Sequence, residues 1–185
     1  MKFIEQYIKG VWVIEPQRFG DQRGYFSEVF KKGEFDSHVG HVDFVQDNES
    51  FSSMGVLRGL HFQRGRSSQA KLVRVSRGTV LDVAVDLRHG SPTWGRHVAV
   101  ELCADTGRQM FIPRGFAHGF AVLSDVAQFQ YKVDNVYDPL SEATLRFDDP
   151  ALGIDWRIGH DTMILSEKDL RGLSLNEMTP EFLGF

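Results

Sequence analysis

Gly55-Val56-Leu57-Arg58-Gly59-Leu60-His61-Phe62-Gln63, continued after a polar break by Gln69-Ala70-Lys71-Leu72-Val73-Arg74-Val75, reads as two strands. Short runs of Val, Leu and Phe alternate with turn-forming residues, the pattern of extended chain that is half buried. Three basic groups, Arg58, His61 and Lys71, are set into this apolar pair. Unpaired charge is costly to bury, so they predict a lined cavity rather than a packed core. Arg58 and Lys71 can hold an anionic or electron-rich ligand, and of the three His61 alone can take and give a proton near neutral pH. Strict alternation stands in the way, because residues three apart point to opposite faces of an ideal strand. A bulge at Gly59 would bring Arg58 and His61 to one side. Without it the basic residues simply face water, and His61 is a hydrogen-bonded strand histidine.

Outward from this pair the chain repeats the same theme. Val11-Trp12-Val13-Ile14 is a short strand ended by Pro16, and Phe19 to Phe30 reads as a turn feeding an alternating strand. Glu34 to Val39 reads as one helical turn. Phe44 to Ser50 begins apolar and becomes wholly polar; Gln46 and Asn48 share a face that suits a polar ligand, or the stretch is a solvated loop. Val80 to Leu87 is nearly continuous in apolar residues, as a buried strand is. His97 to Leu102 alternates, Met110 to Leu123 is strand-like with Pro and Gly set into it, and Ala127 to Val133 puts Phe129, Tyr131 and Val133 on one face. Ser166 to Leu170 is a capped helical start. Many short strands punctuated by Gly and Pro predict an all-β fold, a jelly-roll sandwich or barrel with short peripheral helices.

At 185 residues the chain suits one domain spanning residues 1–185, which buries roughly 70% of its unfolded surface. The composition is that of a soluble globular protein, 42% hydrophobic and 25% charged, with a formal net charge of −4. That balance gives no pull toward nucleic acid or anionic membranes, so positive charge for an anionic ligand must be gathered locally. Cys103 is the only cysteine, which excludes an internal disulfide and points to a reducing compartment. The first residues lack the apolar run of a signal peptide, and no stretch reaches the ~20 apolar residues of a membrane span. The expected location is the cytoplasm.

Pro113-x-Gly115-x-x-His118 resembles the second motif of the cupins, jelly-roll barrels with a ligand site inside. Metal-binding cupins also carry His-x-His in their first motif, where this chain has His61-Phe62-Gln63. Two histidines fall short of the three or four ligands a transition metal needs, so no metal is expected. His118 is then a hydrogen bonder in the cavity or a structural histidine in a turn.

Several motifs in one order carry a sharper resemblance. Phe19-Gly20-Asp21-Gln22-Arg23-Gly24-Tyr25-Phe26, Phe44-Val45-Gln46-Asp47-Asn48, Arg58-Gly59-Leu60-His61-Phe62-Gln63, Lys71-Leu72-Val73-Arg74-Val75, Ile112 to Phe120 and Ser166-Glu167-Lys168-Asp169 are similar to the dTDP-4-dehydrorhamnose 3,5-epimerase family. The likeness runs from about Gln17 to Asp169. It implies a cupin-like homodimer without metal or organic cofactor, which converts dTDP-4-dehydro-6-deoxyglucose to dTDP-4-dehydrorhamnose for surface polysaccharide. It makes His61 the base, Asp169 its carboxylate partner, Lys71 the cation beside the forming enolate and Tyr131 the proton donor on the other side of the sugar. Read without it, Tyr131 is a strand tyrosine packing on Phe129. The resemblance also implies substrate contacts for Arg23, Phe26, Glu28, Gln46, Asp47, Asn48, Arg58, His118, Glu142 and Lys168, with Tyr137 stacking on the thymine. Arg23 and Glu28 would serve the neighbouring subunit's site. One departure is Arg64-Gly65-Arg66-Ser67-Ser68, where relatives often have a Pro-containing loop; it leaves open whether both carbons or one are epimerised. The rival readings are a metal-dependent cupin enzyme and a sugar-binding jelly roll without catalysis.

Overall fold

A computed structural model describes residues 1–184. In chain order the elements are β1 (Lys2–Glu5), β2 (Trp12–Glu15), β3 (Arg18–Asp21), β4 (Gly24–Ser27), α1 (Lys32–His38), β5 (Gln46–Ser53), β6 (Leu57–Gln63), β7 (Lys71–Arg77) and β8 (Thr79–Asp86). There follow β9 (His97–Cys103), β10 (Gln109–Ile112), β11 (Phe116–Val122), β12 (Val126–Val133), β13 (Glu142–Thr144), α2 (Glu167–Leu170) and α3 (Pro180–Leu183). A six-stranded sheet runs β1-β2-β10-β7-β12-β5, and a five-stranded sheet runs β13-β6-β11-β8-β9. All their pairings are antiparallel. The two sheets face each other as the expected jelly roll.

One expectation needs correcting here. β6 and β7 do not pair with each other: β6 lies in the five-stranded sheet and β7 in the six-stranded one. The polar break between them turns the chain from one sheet to the other, so their side chains meet across the interior. The stretch from Phe19 to Phe30 also differs. It forms the small hairpin β3–β4, which stands apart from both sheets and leaves Phe19, Tyr25 and Phe26 exposed.

Between the sheets lies a core that includes Val73 and Val75 of β7, Ala84 of β8, Met110 of β10 and Phe129 of β12. Behind the five-stranded sheet, Leu60, Leu81, Val83 and Leu145 pack against Trp156 and the C-terminal segment. β8 therefore has apolar cover on both faces, which explains why its sequence does not alternate. Outside the six-stranded sheet, Phe35 of α1 closes over Ile14, Leu72 and Phe111.

Gly59 does what the strand reading required of it. The β6–β11 register shifts between His118 and Phe120, opposite Arg58 to His61. Gly59 has φ +138, and a Cβ there would lie 2.5 Å from the Cα of Gly119. Only two glycines let these strands approach so closely. The irregularity resets the alternation, so that Leu57, Leu60 and Phe62 face the outer core while Arg58 and His61 both face the cavity. No helix among the described residues is long and apolar enough to cross a membrane.

Candidate active site

The cavity between the sheets has a volume of about 320 Å³. β6 supplies Arg58 and His61, β11 His118 and β13 Glu142; β7 supplies Lys71 and β12 Tyr131 from the opposite wall. Tyr137 and Lys168 also line it. A second hollow of about 480 Å³, bordered by Asp47, Arg74, Gln130 and Lys132, is larger but gathers none of the acid–base groups except Tyr131. The chemistry belongs in the smaller one.

His61 is organised from behind. Its Nε2 lies 2.7 Å from Oδ1 of Asp169, which is 2% exposed. Asp169 arrives through a local rule: Ser166 caps α2, and Asp169 at the third helical position completes a capping box. Its Oδ2 accepts from Ser166 N at 3.0 Å and from Ser166 Oγ at 2.6 Å, while Oδ1 also accepts from Gly59 N at 3.2 Å. Burial raises the pKa of Asp169, but the hydrogen bonds from His61, Ser166 and Gly59 outweigh it and hold the carboxyl far below its ordinary range. An ionised Asp169 can only accept, so His61 carries its proton on Nε2 and keeps Nδ1 as the free base.

Lys71 sits across the cavity with little to hold it. Its hydrogen bond to the backbone oxygen of His61 is long, 3.5 Å. Burial lowers its pKa to about 8 against the attraction of Asp82; Lys168 adds to the lowering and Glu142 opposes it. Tyr131 is raised above 10, mainly by burial, so it holds its proton at neutral pH. Its ring lies 6.1 Å from that of Phe129, so packing and cavity exposure coexist. His118 is buried and lowered, burial again leading, and its Nε2 bonds Asp82 Oδ1 at 2.8 Å. Arg58 Nε donates to Ser52 Oγ at 3.1 Å. Lys168 and Glu142 form an ion pair at the mouth.

The remaining expected site residues lie elsewhere. Gln46 and Asn48 share a half-buried face of β5, where Gln46 Nε2 donates to Asn48 Oδ1 at 2.8 Å; they lie on a strand rather than in a solvated loop. Asp47 points to the other face, as alternation demands, and pairs with Lys132 at 2.8 Å. This chain's own cavity does not include it. Arg23 and Phe26 are on the exposed β3–β4 hairpin, with Glu28 just beyond it, and Arg23 pairs with Asp21 at 2.5 Å. They too are absent from the lining. Two residues went unnoticed in the sequence. Asp82, an acid inside the apolar run Val80 to Leu87, was the available signal for one; Ser166, read only as a cap, is the other. Among the described residues no three His, Cys, Asp or Glu side chains converge as a metal site.

A base held by a carboxylate, a buried lysine and a protonated tyrosine on the facing wall can move protons at carbon beside an anion-stabilising cation. Comparison with known proteins gives the family. The sequence model described as dTDP-4-dehydrorhamnose 3,5-epimerase matches residues 5–177. A dTDP-4-dehydrorhamnose 3,5-epimerase of Escherichia coli (strain K12) is 50% identical over 179 residues, covering 96% of each chain. The structure of a dTDP-6-deoxy-D-glucose-3,5-epimerase from Legionella pneumophila, in complex with dTDP-4-keto-L-rhamnose, superposes with a TM-score of 0.94 at 46% identity, covering 99% of this chain and 97% of that one. A 3′-monoepimerase from Streptomyces bikiniensis, in complex with dTDP-quinovose, is more distant at 34% identity and a TM-score of 0.88, covering 97% and 91%. By model match, identity and coverage alike, this chain belongs to the dTDP-4-dehydrorhamnose 3,5-epimerase family.

Proposed function

We propose that the protein is a dTDP-4-dehydrorhamnose 3,5-epimerase, an isomerase that inverts carbons 3 and 5 of dTDP-4-dehydro-6-deoxyglucose. The observation that carries this reading is the placement of His61 on one sheet and of Tyr131 and Lys71 on the facing one, around a single cavity. The ketone at carbon 4 acidifies the hydrogens on its two neighbours. His61 Nδ1 takes one of them, the electron pair moves into the carbonyl, and the enolate oxygen gains charge beside the Lys71 ammonium. Tyr131 then gives its proton to the same carbon from the other wall, and solvent restores both groups. Removal on one face and return on the other inverts the centre. Asp169 stabilises the imidazolium while the enolate lasts.

Arg58, His118, Glu142 and Lys168 hold the sugar and diphosphate, and Tyr137, 50% exposed at the mouth, stacks on the base. Gln46 and Asn48 offer further hydrogen bonds from β5. The exposed hairpin with Arg23 and Phe26, and Glu28 beyond it, reaches a neighbouring subunit's cavity in a homodimer, which is why those residues stand outside their own. Relatives near half identity are named for inversion at both carbons, whereas the 3′-monoepimerase lies at 34%; this favours the two-carbon reaction over the single-carbon one. We place the reaction in the cytoplasm on the single cysteine, a location that cell fractionation checks.

Incubation with dTDP-4-dehydro-6-deoxyglucose in deuterated water tests the reading. Deuterium enters carbons 3 and 5 of an inverted product, by NMR and mass; exchange at one carbon alone defeats the two-carbon assignment. Subunit exchange between inactive Arg23→Ala and His61→Ala proteins restores part of the activity if the site is shared. Complete exchange without recovery rejects the shared site.

A further inference from the structure

Asp82 is a buried charge-bearing group that the mechanism above does not use. It lies on β8 between Val80 and Ala84, both at 0% exposure like itself, and faces the core between the sheets. Its Oδ1 accepts from His118 Nε2; its Oδ2 is buried with no hydrogen-bond partner. A carboxylate in that setting is expensive to keep, so something in the structure must compensate it. A nearby positive charge offsets it, and Lys71 lines the same cavity as His118, the partner of Asp82. The charge of Asp82 raises the pKa of Lys71; no hydrogen bond joins the two among the described residues.

We propose that Asp82 is a positioning residue for the epimerisation site: from behind the cavity wall it keeps Lys71 charged without touching it and locks His118 with Nε2 protonated. The inference rests on the reaction proposed above. Attraction without contact has a specific use. A direct salt bridge would occupy the ammonium donors, whereas a carboxylate set back behind His118 leaves them free for the enolate oxygen. The groups facing Lys71 are Asp82 on β8, His61 and Arg58 on β6, His118 on β11, Tyr131 on β12, Glu142 on β13 and Lys168 on α2. Four of these, Arg58, Lys168, His61 and His118, carry positive charge or can acquire it within one cavity, so Lys71 needs a fixed counter-charge to stay protonated. Its pKa of about 8 leaves little to spare at neutral pH.

The test is the pH dependence of kcat/KM for Asp82→Asn. The amide keeps shape and can still accept from His118, but removes the charge. The alkaline limb of the profile moves to lower pH by roughly one unit, with a small loss at pH 6.5 and a large one at pH 8. Lys71→Arg, whose guanidinium does not titrate, loses that limb and so assigns it to Lys71. An unmoved limb in Asp82→Asn, or a loss equal at every pH, overturns the proposal while leaving the epimerase reading intact; a wild-type protein without epimerase activity removes the reading itself. If Asp82→Asn fails to fold, the double variant Lys71→Met/Asp82→Asn decides. Recovery of the fold means that the stranded ammonium was the fault, as proposed, and continued misfolding makes Asp82 a packing residue only.

Discussion

Replacing Asp169 by Asn exposes how tightly the base is wired into the fold. Asp169 accepts from Ser166 N and Oγ on one oxygen and from His61 Nε2 and Gly59 N on the other. Asn has a single acceptor oxygen, so one pair of donors must meet an N–H₂ group. If the oxygen stays toward His61, the Ser166 N–H is orphaned at the start of α2. If the amide flips, Gly59 N–H is orphaned and His61 is forced to accept on Nε2, leaving Nδ1 protonated and unable to act as base. A lost charged hydrogen bond and a stranded buried N–H together amount to about 2–4 kcal/mol. At about 2–4 °C per kcal/mol for a chain of this size, the midpoint falls by roughly 5–15 °C. Activity drops by about 10³–10⁴-fold in either orientation, because the imidazolium loses its counter-charge or the base its tautomer. The pKa of Asp169 is lowered in the fold. Its contribution is therefore complete above the unfolded carboxylate value of about 4 and is lost as pH falls through the folded value. Denaturation of both proteins in urea across pH, with deuterium wash-in as the activity assay, measures each quantity. A variant within tenfold of wild type, or a stability gap that grows rather than shrinks below pH 4, would refute the reasoning.

Three further outcomes are expected. Lys71→Met abolishes turnover but stabilises the protein at pH 7: the drop in pKa from 10.5 to about 8 equates to roughly 3 kcal/mol for a sealed ammonium, and about 1–2 kcal/mol once cavity water and the Asp82 carboxylate left without its counter-charge are allowed for. Between pH 8 and 10.5 the unfolded chain holds one more proton than the folded wild type, so wild-type stability rises there and the gap closes in parallel urea titrations; a variant less stable than wild type at pH 7 counts against this. Gly59→Ala places a Cβ 2.5 Å from Gly119 Cα and loses roughly 2–4 kcal/mol by chemical denaturation, with the larger fall in kcat than in KM that a displaced His61 produces. Tyr131→Phe keeps its packing on Phe129 and still exchanges deuterium at one carbon while making little inverted product; normal product yield makes Tyr131 a packing residue only.

The strands were legible because their apolar periodicity survives in the chain, and β8 announced its burial on both faces by not alternating. Gly59 could be read as the residue that lets Arg58 and His61 share a side, since the conflict lay within seven residues. What could not be read was long-range. Nothing local tells that β6 and β7 enter different sheets, because either strand would satisfy its hydrogen bonds with many partners. The three-residue strand β13 is too short for a period to show. Asp169 entered the site through a family resemblance, not through its neighbours in sequence. Asp82 and Ser166 carried visible signals, an acid in an apolar strand and a cap spacing, but each signal has an ordinary structural meaning until His118 and His61 are seen beside it.

The capping box of α2 also has a bearing on biosynthesis. Asp169 meets Gly59 and His61 across 110 and 108 residues of chain. Both sheets are complete in sequence by Thr144, yet the base lacks its carboxylate until the segment carrying Ser166 has been made and docked. A chain cut short before residue 166 therefore lacks the carboxylate that orients its base, together with Met178 and Leu183, which cover the outer face of the five-stranded sheet.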